Sequence, residues 1–372
     1  MQANPGATDS MTSMGTRANV QPARYAANEL VAFAERLLLA TGADAAMAAD
    51  MAAILVDGDL LGHTTHGLQL LAPYLRELEA GTMRKSGPWE TVNRRPASEL
   101  WDGRRLPGPW LVLRAIDRAA AMADANGTGT VVIRRSHHIA CLAAYLKRAT
   151  DRGYMMLLTC SDPATSSVAP FNGVSPVFTP NPIAAGLPTS GDPILLDISA
   201  SLTTNGMTAR LHNEGRKLPH PWIQDHEGNA TDDPGVLFRE PKGTLLPTGG
   251  LDAGHKGFGL ALLIEALTAG LTGYGRADPR EGWGATVFVQ LFAPATLGGG
   301  SAFARQMDWL VTACHDATPR PGVERVRLPG ERGMQRYREQ MADGVELYPG
   351  ILDTLKPWAE RYNVELPPSN YA

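Results

Sequence analysis

Gly62-His63-Thr64-Thr65-His66-Gly67 sets imidazoles among hydroxyl residues and glycines, directly after a run with helical spacing. Histidine is the side chain whose ordinary pKa lies near neutrality, so His66 on such a turn is a candidate general acid/base. A plain capping role, in which the ring bonds only to local backbone, fits the same residues. Upstream, Leu30, Val31, Phe33, Ala34, Leu37 and Leu38 recur at helical spacing within Ala26 to Ala40, and Gly42 follows where a C-terminal glycine belongs. Ala45 to Leu60 repeats the pattern, and Leu68 to Glu79 predicts a third helix ending at Gly81. The turn therefore lies between two helices, a junction that holds a side chain firmly.

Further along, Arg114 to Asn126 reads as an Ala-rich helix, and Thr130 to Ile133 as a β-branched strand opening into Ser136-His137-His138. A helix over Cys141 to Thr150 and a strand over Met155 to Thr159 follow. This alternation predicts an α/β layer with loops gathered at one edge, where ligand groups commonly sit. Ser161 to Asp197 is rich in Pro, Gly, Ser and Thr, and predicts only two short extended pieces, around Val177 and at Ile194 to Leu196. His212 to Pro247 carries turn signals throughout. Gly249 to Gly259 then leads into Leu260 to Leu271, which is apolar on nearly every face and predicts a buried helix. Free backbone N–H groups beside Lys256 suit a phosphate or carboxylate. Close helix packing explains the glycines equally well, and the spacing is not the G-x-G-x-x-G of a Rossmann turn.

The 372 residues, 44% hydrophobic, are enough for two or three intertwined domains. A net charge of −4 without a dense basic run gives no footprint for nucleic acid or an anionic membrane, leaving a small-molecule partner. Cys141, Cys160 and Cys314 are few, odd in number and scattered, as in a reducing compartment. Residues 1–22 read as a disordered polar tail without signal-peptide features. No run approaches the roughly 20 apolar residues of a membrane helix, so a soluble, cytoplasmic protein is expected.

His63 and His66 have spacing that permits metal ligation with His137 or His138, but there is no H-E-x-x-H pattern and no bound metal is expected. A G-x-S-x-G elbow is absent, so serine hydrolysis is not the leading class. Asp197, at the end of Ile194-Leu195-Leu196, is either a carboxylate delivered to an interior site, where it would orient His66 if the two are near, or a local turn cap.

Seven segments stand in order between about Tyr25 and Leu347: GHTTHG (62–67), RSHHIACLAAY (135–145), VAPFNG (168–173), NPIAAGLPT (181–189), LLDIS (195–199), GHKGFGLAL (254–262) and LPGE (328–331). In these the chain resembles the malate/L-lactate dehydrogenase family that lacks a Rossmann domain, and especially its hydroxycarboxylate dehydrogenase branch. The resemblance implies an α/β, sulfolactate dehydrogenase-like mixed-sheet fold. It implies a helical, substrate-side domain built from both chain ends (23–110 and 300–372), an NAD(P)-binding mixed α/β domain (111–299), and a homodimer. It also implies hydride exchange between NAD or NADP and a 2-hydroxy or 2-keto acid. His66 matches the histidine that protonates the oxygen, Thr65 replaces the usual serine before it, and Asp197 matches the acidic partner. His138, Ile139, Ala140, Cys141, Leu142, Asn181, His255, Lys256, Gly257, Pro329, Gly330 and Glu331 are implied around the cofactor.

Three departures stand out. Leu70 replaces an arginine able to grip a carboxylate with its planar fork. Thr179-Pro180 replaces Gly-Thr before Asn181, and Met207 replaces a frequent lysine. The Leu70 change suggests a larger or more apolar keto acid, and the Pro180 change a differently seated cofactor. The alternatives are a cyclic imine reductase of the piperideine-carboxylate type, a weak or non-catalytic ligand-binding relative, and a metal-dependent hydrolase using His63 and His66.

Overall fold

The computed structural model describes residues 23–369, and the tail expected over residues 1–22 lies outside them. The helices α1 (Ala27–Ala40), α2 (Ala45–Leu60) and α3 (Leu71–Ala80) form as their periodicity predicts, α3 after a single 3-10 turn at Leu68–Leu70. Asp44 caps α2 by accepting a hydrogen bond from Ala46 N at 3.0 Å. Gly81 ends α3 at φ 74°, a conformation that costs a glycine little.

Both ends of the described chain meet on these helices. β1 (Arg24–Tyr25) pairs with β12 (Val345–Glu346), α10 (Glu331–Asp343) packs on α2, and α11 (Ile351–Tyr362) packs on α1 and α3. The buried Gln340 of α10 donates to Asp59 O at 3.0 Å and Leu60 O at 2.9 Å, satisfying carbonyls at the C-terminal end of α2.

Behind the helices lies a seven-stranded sheet in the order β2 (Glu90–Arg95), β3 (Ser98–Asp102), β4 (Thr128–Ser136), β11 (Ala285–Phe292), β5 (Met155–Ser161), β6 (Pro182–Leu187) and β7 (Ile194–Ser199). The β3–β4 pair is parallel and the other pairs are antiparallel. This is a mixed sheet, without the parallel run of a Rossmann fold. The β2–β3 hairpin joins it, so the sheet reaches N-terminal of the expected boundary at residue 111. The β-branched and aromatic β11 is almost wholly buried and forms the centre. α4 (Gly108–Asn126) starts upstream of the expected Arg114 because Pro109 is tolerated in a first turn, and α5 (Ala143–Thr150) follows β4. β6 escapes the sequence pattern: Pro-Ile-Ala-Ala-Gly-Leu has weak strand character, and pairing on both sides imposes it.

A smaller lobe carries α6 (Asn205–Asn213), the three-stranded sheet of β8 (Ile223–Gln224), β9 (Ala230–Thr231) and β10 (Thr244–Leu245), α7 (Gly250–Ala253) and α8 (His255–Glu265). The expectation of a fully buried helix near Leu260 is corrected here. Ala261 and Ile264 are buried, whereas Leu262 and Leu263 are 49% and 51% exposed, because only one face of α8 packs on the protein. A helix packed from one side leaves its other apolar face open. α9 (Gly300–His315) likewise leaves Trp309 66% exposed.

Candidate active site

The turn after α2 folds back because two glycines allow it. A Cβ on Gly58 would lie 3.0 Å from His66 O, and one on Gly67 would lie 2.3 Å from Asp59 Cγ. Asp59, 1% exposed, accepts from Leu68 N at 2.7 Å and so fixes the residue two places beyond His66. Burial pushes the Asp59 carboxyl up to about 7, against the Leu68 bond and the Arg210 charge. Within the turn, His63 N donates to Gly58 O and His66 N to His63 O, each at 2.8 Å.

These bonds set His66 on the wall of a cavity of about 600 Å³. Thr65 Oγ1 lies 2.9 Å from His66 Nδ1, so Nε2 is the ring nitrogen left without a hydrogen bond among the described residues. Burial, then His63 and Arg210, push the His66 pKa down to about 4. The His138 ring stacks near it, with centroids 6.0 Å apart.

His138 sits just past the end of β4, between Tyr74 and Trp283. Ala140 N lies 3.2 Å from His138 Nδ1 and can only donate, so Nδ1 is the acceptor and the neutral ring carries its hydrogen on Nε2. Tyr74 Oη lies 2.9 Å from the same nitrogen, and Trp283 covers the ring at 4.7 Å between centroids. Burial holds the His138 pKa well below its ordinary value. Ala140 adopts φ 57°, a strained value for a residue with a Cβ, as the chain turns from β4 toward α5. Ala140, Cys141 and Leu142 line the cavity, whereas the Ile139 side chain points into the core. His137 faces away, its Nε2 3.3 Å from Glu77.

Asp197, on β7, enters the same cavity but accepts from Ala143 N at 2.9 Å, and no hydrogen bond joins it to His66 among the described residues. Burial raises its pKa, with His63 and the Ala143 bond opposing. Among the described residues, the grouping with metal-ligand spacing is His63, Cys141 and Asp197, whose donor atoms lie within 4.8 Å of one another, and it does not include His66, His137 or His138. Asn181 is fully buried on the cavity wall at φ 45°, bonded to Thr179 Oγ1 at 2.6 Å and Glu265 Oε1 at 3.0 Å.

A second chamber of about 570 Å³ shares Gly62, His63, Asp197 and Ile198 with the first. Pro329 and Gly330 line it, joined to β7 by Leu195 N donating to Pro329 O at 3.2 Å. Arg327, Arg332 and Arg336 also line it, and none of them forms an ion pair among the described residues. Glu331 instead pairs with His315 and, at 3.5 Å, with Arg325. His255 and Lys256 are exposed at the start of α8, on the wall of neither chamber, and Gly257 is buried against Thr248 and Ala200.

Sequence reasoning thus finds His66, Thr65, His138, Asn181, Asp197 and the Pro329-Gly330 turn in one trough. It misses Tyr74, Trp283, Thr64 and Arg210. Trp283 lies in a Gly-rich loop without a pattern, and Arg210 comes from a helix distant in sequence.

The site is thus a histidine cleft beside a mixed sheet that has no Rossmann turn. The chain belongs to the malate/L-lactate dehydrogenase family, which it matches over residues 25–356. It is 30% identical to an L-lactate dehydrogenase of Cupriavidus necator, over 90% of this chain and 96% of that one. It is 29% identical to a (2R)-3-sulfolactate dehydrogenase (NADP(+)) of Chromohalobacter salexigens, over 82% and 89% respectively. The solved malate dehydrogenase of Pyrococcus horikoshii superposes with a TM-score of 0.83 at 25% identity, covering 92% of this chain and 96% of that one. The protein is therefore an oxidoreductase of the hydroxy-acid dehydrogenase type, with the mixed-sheet fold that the motifs imply.

Proposed function

We propose that this protein interconverts a 2-hydroxy acid and a 2-keto acid with a nicotinamide dinucleotide, with His66 exchanging the proton at the substrate oxygen. The observation that carries the reading is His66 itself, tied at Nδ1 by Thr65 and lining a cavity with Nε2 left over. The residues present fit a dinucleotide. Two connected chambers offer an elongated trough, and the far one presents Arg327, Arg332 and Arg336 to phosphates. The bound cofactor supplies or removes the hydride. In its protonated form His66 gives its proton to the oxygen on which negative charge develops, and in the reverse direction its neutral ring, the form that burial favours, takes that proton. Trp283 and His138 give the cavity flat walls that keep water from the reacting carbon. Asp197 braces this end of the trough, accepting from Ala143 N with His63 and Cys141 close beside it.

The unpaired arginines favour NADP over NAD, since a 2′-phosphate needs a cation where an NAD site uses an acid on the ribose hydroxyl. The half-exposed leucines of α8 and Trp309 of α9 support a homodimer. No helix among the described residues is long and apolar enough to cross a membrane.

A matrix of NADH and NADPH against 2-keto acids and cyclic imines tests the reading. NADPH-dependent reduction of a keto acid is expected, and failure to bind either cofactor or to turn over any substrate would reject it. Activity on imines alone would move the assignment to the imine reductases, and cofactor binding without turnover to a non-catalytic relative.

The lowered His66 pKa gives a signed pH dependence. Oxidation needs the neutral ring, so kcat/KM for the hydroxy acid is expected to stay level from neutrality down to about pH 5 and to fall as pH drops through about 4. His63 and Arg210 act on the ring by charge, His138 stacks near it, and Cys141, Cys160, Asp162 and Asp197 share its cavity. An acid limb near the ordinary histidine value would contradict this burial.

A further inference from the structure

We propose that Thr64 and Arg210 together hold the substrate carboxylate, Thr64 through its hydroxyl and Arg210 as the positive charge behind it. The proposal rests on the keto-acid reading of the same cleft.

A carboxylate taken out of water needs a counter-charge, yet among the described residues no Lys or Arg lines the chamber that contains His66. Leu70 contributes only apolar surface there. The cation bonded to the histidine turn on this wall is Arg210. It lies on α6, about one turn beyond Gly206 and Met207, which line the chamber. α6 approaches the histidine turn closely, for a Cβ on Gly206 would lie 3.3 Å from Thr65 Cβ.

Arg210 Nη1 donates to Thr64 Oγ1 at 2.9 Å, Nη2 donates to Gln69 Oε1, and the guanidinium lies over the Tyr348 ring at 3.6 Å. It is half-buried and has no carboxylate at ion-pair distance among the described residues. Such a cation, fixed in plane by two bonds and a ring and acted on by Glu214 and Asp59 only from beyond ion-pair distance, is poised for a closer anion at Thr64.

Thr64 passes that charge to the chamber. Its oxygen accepts from Arg210, so its own hydrogen is directed elsewhere, and the residue lines the cavity two positions before His66. A hydroxyl polarised by a guanidinium is a strong donor to a carboxylate oxygen. With the carboxylate on Thr64, the adjoining carbonyl is held on the His66 side of the chamber. Arg210 thereby acts as a positioning and specificity residue, and Thr64 as the contact.

The test compares the wild type with Arg210→Met, Arg210→Lys and Thr64→Val on the keto acid reduced best in the cofactor matrix and on the methyl ester of that acid. Arg210→Met is expected to raise KM for the acid by roughly 10–100-fold, the size of a lost charge-assisted bond, with kcat within about threefold. KM for the uncharged ester is expected to stay unchanged, Arg210→Lys to recover part of the loss, and Thr64→Val to lose acid-over-ester preference with Arg210 still present. Equal losses for acid and ester, or no loss for the acid, would overturn the proposal. If Arg210→Met does not fold, Thr64→Val decides on the same comparison. A wild type that reduces no keto acid rejects the functional reading itself, a result distinct from either of these.

Discussion

Replacing His66 with Gln lowers kcat for keto-acid reduction by about 10²–10⁴-fold, the usual contribution of a general acid, and leaves cofactor affinity within a few-fold. Glutamine keeps a polar group of similar reach beside Thr65 but cannot deliver a proton at neutral pH. The hydride would then move to a carbonyl whose developing negative charge is left without a proton donor. Asp59, Leu68 and Gly67 hold the turn through the backbone and a side chain other than His66, so the fold survives the change. Steady-state rates and a fluorescence titration of NADPH on the same preparation make the comparison. A drop of less than about fivefold in kcat would remove His66 from the chemistry and leave it as a turn residue.

The second large effect falls on stability. Gly257→Ala is expected to cost about 2–4 kcal/mol, because a Cβ there would stand 2.3 Å from Thr248 N and 2.6 Å from Ala200 O, both backbone atoms that cannot swing aside. Gly257 N also donates to Thr248 O at 3.0 Å, so any outward shift of α8 weakens that bond as well. Gly259 is the internal control. It lies on the same helix, a Cβ there meets nothing, and alanine is expected to be neutral or to stabilise by up to about 1 kcal/mol. Urea midpoints of the two variants give the contrast, and a Gly257→Ala midpoint equal to wild type would refute the close approach. The glycines of this helix start thus serve packing at Gly257, one of the two uses their sequence allowed.

The helical half was legible because α1 and α3 each bury one face, and a one-sided helix writes its period into the chain, whereas the central α2 is buried on nearly every side and shows instead as a long apolar run behind the Asp44 cap. The sheet was less so. β6 is a strand by virtue of its two neighbours, and the hairpin of β2 and β3 has a first strand that is exposed along its length and carries no alternation to read. The histidine turn was recognisable from its own residues, since the chemistry and the glycines that permit it are contiguous. The partners of that turn were not. Tyr74 under His138, Trp283 over it and Arg210 behind Thr64 approach from separate elements, and no local pattern records a contact made across the tertiary fold.

The continuous apolar cluster described by the buried residues runs from Leu30 and Leu55 through Val131 and Val289 to Leu355, crossing from the terminal helices into the sheet without a break. Melting should therefore proceed as a single cooperative event for those two layers, because neither keeps an interior once the other has gone. The lobe around Ile223 and Leu245 has its own separate interior and is free to loosen first. Should it do so under heat or denaturant, Arg210 would leave the trough with α6 while the histidine turn still stood, so that the charge behind Thr64 fades before the proton-transfer group is lost.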